Sequence, residues 1–323
     1  MPDGRCGETD AWLSMTGDLL ILVLGLACAA LGGELFVRGV VGIAEAARIP
    51  PGIVGATVAA FATSSPEVSV AVSSALSDRP QLALGDALGS NVVNIGLVLG
   101  LAVLVGPIRV GRGTIRRDMA AALVIPLATV ALAADGYLGR PDALLLLGAF
   151  FIWLVTTIAA ARRERSAATA VLAEHSLPRA ILVCVVGLLV LIAAGRLIVV
   201  GAKGIGTDLG LDAFVVGVVF VAIGTSVPEL ATAVISRLRG HEEIGLGTVL
   251  GSNVFNGALV IPIVTLISPF RVDWSEIAIS LVFGVLVIIA VLPFPRPMLA
   301  RGRGVLLLGL YGSSVVTLLL LHG

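Results

Sequence analysis

Charge is scarce in this chain. Asp, Glu, Lys and Arg make up 13% of 323 residues, about half the usual share of a soluble domain. Those charges cancel to zero at pH 7, so no basic surface is offered to nucleic acid. Three cysteines, Cys6, Cys28 and Cys184, stand far apart and form no CxxC and no zinc spacing. The three histidines, His175, His241 and His322, fall in predicted loops or at the tail. The apolar segments therefore contain no imidazole. An intramembrane protease would need a buried Ser/His pair, an Asp dyad or an HExxH zinc helix, and the sequence offers none of these. No cofactor is implied.

Hydrocarbon is what the chain has in abundance. Hydrophobic residues reach 58% and mean hydropathy is +1.08, more apolar surface than a water-soluble fold can hide. Runs of membrane length fall at 18–44, 51–77, 83–106, 117–135, 142–161, 179–205, 213–237, 245–268, 275–293 and 304–321. The first run follows a segment containing Asp3, Glu8 and Asp10 and exceeds a leader's apolar core, so it reads as a retained helix. Alternate loops differ in arginine. One set carries 14 (Arg48, Arg109 to Arg117, Arg162 to Arg179, Arg237, Arg239, Arg296 to Arg303), and the other set with the N-terminal tail carries 4. Positive charge stays inside, so both termini are expected outside and the 162–178 linker in the cytoplasm of a prokaryotic inner (plasma) membrane.

Two of the rare acids are repeated in context. Ala60-Phe61-Ala62-Thr63-Ser64-Ser65-Pro66-Glu67 is echoed by Ala222-Ile223-Gly224-Thr225-Ser226-Val227-Pro228-Glu229, 162 residues on. Gly89-Ser90-Asn91-Val92-Val93-Asn94 is echoed by Gly251-Ser252-Asn253-Val254-Phe255-Asn256 at the same offset. Residues 52–100 and 214–262 align without a gap, with 21 identities in 49 positions. Shared membrane composition would not place Pro-Glu and Gly-Ser-Asn at one offset. An odd number of spans, five, separates equivalent points, so the second half enters the bilayer from the opposite side. The expected fold is an all-α polytopic membrane protein with ten transmembrane helices in two inverted five-helix repeats, 1–161 and 179–323. Secondary transporters use this layout with a site near the midplane.

The repeated residues are chemically coherent. On a helix, Ala60, Thr63, Ser64, Glu67, Ala71 and Ser74 share one face, small or oxygen-bearing. Pro66 and Pro228 should break the helix and free carbonyls near Ala62, Thr63 and Gly224, which is tolerated in a membrane where the backbone lines a polar cavity. Ser90 and Asn94, like Ser252 and Asn256, are four residues apart on one face. Two carboxylates among hydroxyl, amide and carbonyl oxygens suit a hard cation, and a flexible site suits Ca²⁺ better than Mg²⁺. Small polar residues also serve helix packing, and a single buried Glu can be a structural ion-pair member; the paired context argues against both. Glu34 lies four residues before Arg38 and reads as its ion-pair partner with a structural or gating role. Asp86, Asp118, Asp208 and Asp212 read as solvated span ends. Gly89 and Gly251 read as points of close backbone approach.

These motifs resemble those of the cation/calcium exchanger superfamily, and most closely its prokaryotic sodium/calcium exchangers. The two family signatures match 55–100 and 217–262, and the likeness in layout covers nearly the whole chain. The resemblance implies a Na⁺/Ca²⁺ antiporter whose ligands are Ala60 (carbonyl), Thr63, Ser64, Glu67, Ser90 and Asn94, with Ala222 (carbonyl), Thr225, Ser226, Glu229, Ser252 and Asn256. It also implies that the first and sixth helices slide past the remaining bundle. Where some members carry Asp, this chain has Asn256, which bears on stoichiometry and K⁺ dependence. The short linker leaves no room for regulatory domains. Expected partners are Ca²⁺, Na⁺ and the lipid bilayer, with the chain a monomer. A Ca²⁺/H⁺ antiporter of the same fold and a passive cation channel are the alternatives.

Overall fold

A computed structural model describes residues 5–167, 176–208, 224, 226–292 and 297–322. Helices dominate, as continuous apolar runs dictate. They are α1 (Arg5–Ala47), α2 (Pro51–Thr63), α3 (Ser65–Leu76), α4 (Pro80–Val105), α5 (Arg112–Asp135), α6 (Arg140–Ala167), α7 (Leu177–Asp208), α8 (Val227–Leu238), α9 (Glu242–Ile267), α10 (Trp274–Val291) and α11 (Arg301–His322). Among the described residues, seven helices are long and apolar enough to cross a membrane, and the bent pair α2–α3 makes an eighth. α10 is apolar but shorter, and the expected seventh span lies partly outside the described residues, in 213–223. Many apolar side chains face outward, including Leu20, Leu144, Ile152, Leu182 and Val305. That is an inverted surface for water and the ordinary one for lipid.

The pseudo-twofold relation is written into the packing. α1 and α7 lie against each other along their length, with glycines where the backbones touch. A Cβ on Gly25 would lie 2.8 Å from Ile198 Cγ1, and one on Gly187 would lie 2.7 Å from Phe36 Cα. Those two contacts map onto each other under the 162-residue offset. So do Gly39 against Cys184 and Gly201 against Leu22. Small residues are how membrane helices approach closely. Short strands, absent from the sequence reading, tie the loops together: β1 (Ile108–Arg109), β2 (Tyr137–Leu138), β3 (Phe270–Arg271) and β4 (Met298–Leu299). β1 pairs antiparallel with β4, and β2 with β3. Each half thus exchanges a strand with the other. The pairing also gathers the loops of Arg109 and Arg301 on one face and those of Arg140 and Arg271 on the opposite face.

One span-end acid departs from expectation here. Asp118 is not solvated. It is 1% exposed on α5, where Arg117 donates two 2.8 Å bonds to its carboxylate and the Trp153 indole donates a third at 3.0 Å. A neighbouring arginine made burial of the acid tolerable. Helix reaches into the expected 162–178 linker from both sides, since α6 runs on to Ala167 and α7 starts at Leu177. Glu34 does pair with Arg38 at 2.6 Å, and Arg239 at the end of α8 joins it at 2.8 Å. Asp208 ends α7, and Asp212 lies outside the described residues.

Candidate functional site

The proline breaks build the site. α2 and α3 meet at a 43° bend. Ser64, at the junction, leaves helical geometry at φ −83° and ψ 5°. Ser226 occupies the same conformation at the start of α8, φ −90° and ψ 8°. In each case proline is the second residue of the new helix, where its missing N–H costs nothing. Glu67 and Glu229 then fall in the first turn of their helices, the end where a negative charge is favoured. One expectation needs correction. The Ala62 carbonyl is not free, since the Ser65 hydroxyl bonds it at 2.7 Å. The Ala60 carbonyl accepts the Ser64 amide at 3.0 Å and the Thr63 hydroxyl at 3.3 Å. Serine and threonine next to a break supply the partners that proline removed.

α4 and α9 bring the second motif to the same place. Both widen into π-helical turns, Val93–Leu99 and Asn256–Val260, a distortion frequent at functional sites. Asn94 and Asn256 sit at the start of those turns. The halves interlock there. Thr63 Oγ1 lies 3.4 Å from Ser252 Oγ, and Ser252 Oγ lies 3.4 Å from Glu229 Oε1. Asn91 and Asn253 donate to each other's backbone carbonyls, at 3.5 and 3.1 Å, and Asn94 donates to Asn253 Oδ1 at 3.2 Å. Sequence reasoning passed over Asn91 and Asn253, because they do not share the Ser90–Asn94 face. Their identity in both repeats was the signal. The reciprocal bonds mark where the pseudo-twofold axis passes.

Every described member of the expected set is buried. Thr63, Ser252, Asn256 and Ala60 are 0% exposed, Ser64, Asn94 and Glu229 1%, Glu67 and Ser226 2%, and Ser90 4%. Thr225 and Ala222 lie outside the described residues. Glu67 and Glu229 are close enough to repel one another. Burial without partners is the decisive feature. Nine buried side-chain polar atoms among the described residues have no hydrogen-bond partner, and seven belong to this set: Ser64 Oγ, Glu67 Oε2, Asn94 Oδ1, Ser226 Oγ, Glu229 Oε2, and both amide atoms of Asn256. An unsatisfied buried polar group costs about 1–3 kcal/mol, and a ligand supplying partners to several of them at once would offset that cost. Six of the seven are oxygens. Among the described residues no three of His, Cys, Asp and Glu gather as a metal cluster, and the neighbours of the two carboxylates here are neutral oxygens. Behind the bend, a cavity of about 600 Å³ is lined by Ser65, Ser69, Arg196, Gly224 and Pro228. Gly251 packs as expected, with a Cβ there falling 2.7 Å from Ala60 Cβ and against the Ala56 carbonyl. For Gly89 no described residue comes within 4 Å of such a Cβ.

Comparisons with known proteins agree with this arrangement. The family model described as sodium/calcium exchanger protein matches residues 18–159 and again 179–320, one match per half. The inner membrane protein YrbG of Escherichia coli (strain K12) is 33% identical over 305 residues, spanning 90% of this chain and 93% of its own. The sodium/calcium exchanger MaX1 of Methanosarcina acetivorans is 25% identical over 298 residues, 80% of this chain and 85% of its own. A solved structure of the sodium-calcium exchanger NCX_Mj, soaked with Na⁺ and Sr²⁺, superposes with a TM-score of 0.79 at 26% identity, covering 94% of this chain and 99% of that one. A duplicated helical membrane fold, a doubled Pro-Glu and Gly-Ser-Asn site, and a family match in each half lead to one assignment: the chain is an integral membrane transporter, not an enzyme, and belongs to the sodium/calcium exchanger protein family.

Proposed function

We propose that the chain exchanges Na⁺ for Ca²⁺ across the membrane by alternating access at one shared midplane site. The observation that carries this reading is the group of orphaned buried oxygens around two carboxylates. Two negative charges balance one Ca²⁺, and Ca²⁺ accepts about 6–8 oxygens in loose geometry. Glu67, Thr63, Ser64, Ser90, Asn94 and the Ala60 carbonyl serve from one repeat. Glu229, Thr225, Ser226, Ser252, Asn256 and the Ala222 carbonyl serve from the other. The repeats are 1–161 and 179–323, joined by 162–178, and both termini lie outside.

Coupling follows from electrostatics. Na⁺ and Ca²⁺ seek the same oxygens, so their occupancies compete. Two unpaired carboxylates in a low-dielectric interior cost several kcal/mol each, so the empty protein does not change faces, and a loaded one does. Exchange results from that forbidden empty step. The glycine-lined α1–α7 pair suits sliding as a unit against the rest, and the Glu34–Arg239 bond between α1 and α8 is a tie that the motion has to break. The expected result is ⁴⁵Ca²⁺ uptake into proteoliposomes driven by an outward Na⁺ gradient at clamped pH. Uptake that follows a pH gradient and ignores Na⁺ would assign the coupling to protons instead, and single-channel currents would assign a pore.

Asn256 sets the charge of the site. Asn256→Asp adds a third acid where the amide now has no partner on either atom. The change should shift the ratio of Ca²⁺ to Na⁺ affinity by about tenfold, the Coulomb effect of one nearby charge. Identical competition curves for the variant and wild type would exclude Asn256 from the ligands.

A further inference from the structure

The pseudo-twofold symmetry fails at one charged position. Asp86, Ser90 and Asn94 follow one another at four-residue steps along α4, so they share a face, with Asp86 one turn (about 6 Å) beyond Ser90. That turn lies toward Pro80, on the side of the site where β2 and β3 pair. Asp86 is half-buried rather than solvated. It comes within electrostatic reach of the Glu67 carboxylate, whose Oε2 is buried and without a partner. Among the described residues Asp86 makes no ion pair or hydrogen bond. Beyond it, the adjacent loop charges Asp78 and Arg79 are exposed and cancel, and Arg140 and Arg271 of the same face are exposed as well. In the other repeat the equivalent residue is Thr248. It is fully buried, and its hydroxyl is turned back onto the Ile244 carbonyl at 2.9 Å. One turn outside the site, the first repeat thus carries an acid and the second a neutral, self-satisfied side chain.

We propose that Asp86 is a third acid of the cation path, which receives divalent ions from the β2–β3 face and makes affinity on that face tighter than on the other. It is not a co-ligand of the ion between Glu67 and Glu229, because the three acids do not form one chelating cluster. It acts as a fixed charge one turn outside. A fixed charge attracts Ca²⁺ with twice the Coulomb energy it offers Na⁺ at equal distance, so it also biases the mouth toward the divalent ion. The inference rests on the cation-exchange reading above.

The test is Asp86→Asn in proteoliposomes of uniform orientation, with Ca²⁺ affinity read from each face separately. The expected result is a loss of about fivefold to tenfold in apparent Ca²⁺ affinity from the β2–β3 face, about twofold to threefold for Na⁺, and no change from the opposite face. Asp86→Glu should keep wild-type affinity. Raising ionic strength with choline chloride should move wild type toward the variant, since a charge at a wet mouth is screened. Wild-type affinity in the variant on both faces overturns the proposal, and so does an equal loss on both faces. Should the Asn variant fail to insert, the salt titration of wild type and the Glu variant decide alone, and an affinity indifferent to salt overturns it. A wild-type protein with no Na⁺-dependent Ca²⁺ flux would instead refute the exchange reading and leave Asp86 to be judged by Ca²⁺ binding to purified protein.

Discussion

Glu67→Gln and Glu229→Gln should each lower Ca²⁺ flux by at least about 100-fold, while the protein still inserts and runs as wild type on gel filtration. Removing one charge from a dehydrated divalent ion forfeits several kcal/mol, and about 2.7 kcal/mol is already 100-fold. Glutamine preserves the volume and one carbonyl oxygen, so packing is nearly unchanged. Both side chains are buried with one carboxylate oxygen unpartnered, and neither makes an ion pair among the described residues. A purely structural role would make the neutral variants as stable as wild type or more so, with flux intact. The two variants should be alike, because the residues occupy equivalent places. Flux near wild type in either one would remove that residue from the site, and a large difference between them would deny the symmetry.

Gly251→Val should silence transport through geometry rather than charge. α9 crosses α2 at this glycine, where an added Cβ falls 2.7 Å from Ala60 Cβ and meets the Ala56 carbonyl. Valine would push α2 off α9. That shift separates Thr63 from Ser252, the contact that joins the two halves beside Glu229. A displacement of about 1 Å in a ligand shell is enough for a roughly 100-fold loss of function. Gly302→Ala, where no described atom lies within 4 Å, should transport normally. The measurement is ⁴⁵Ca²⁺ uptake for both variants at matched expression. Transport retained in Gly251→Val would mean that the close crossing is not needed to assemble the site.

Much of the arrangement could be read directly from residues. The apolar runs located the helices, since hydrocarbon length leaves little choice of structure. The offset between Glu67 and Glu229 exposed the duplication, and the break at Pro66 produced the expected bend. What failed to show was local satisfaction and cross-chain pairing. Ser65 recaps the Ala62 carbonyl, a bond that depends on a rotamer and not on spacing. Asn91 and Asn253 meet across the axis, and a helix-face argument within one segment cannot see a partner 162 residues away. Asp118 looked solvated because it lies near a span end, yet Trp153 on α6 folds over it. The exchanged strands were hidden for the same reason, being two residues each.

Anomalous diffraction from crystals soaked in Sr²⁺ would put the whole account at risk in one map. The expected result is a strong peak bridged by carboxylate oxygens of Glu67 and Glu229, at about 2.3–2.6 Å or slightly longer for the larger ion, with hydroxyl and amide oxygens of both repeats completing its shell. Peaks confined to the loop faces, with the two buried carboxylates turned from one another, would contradict it.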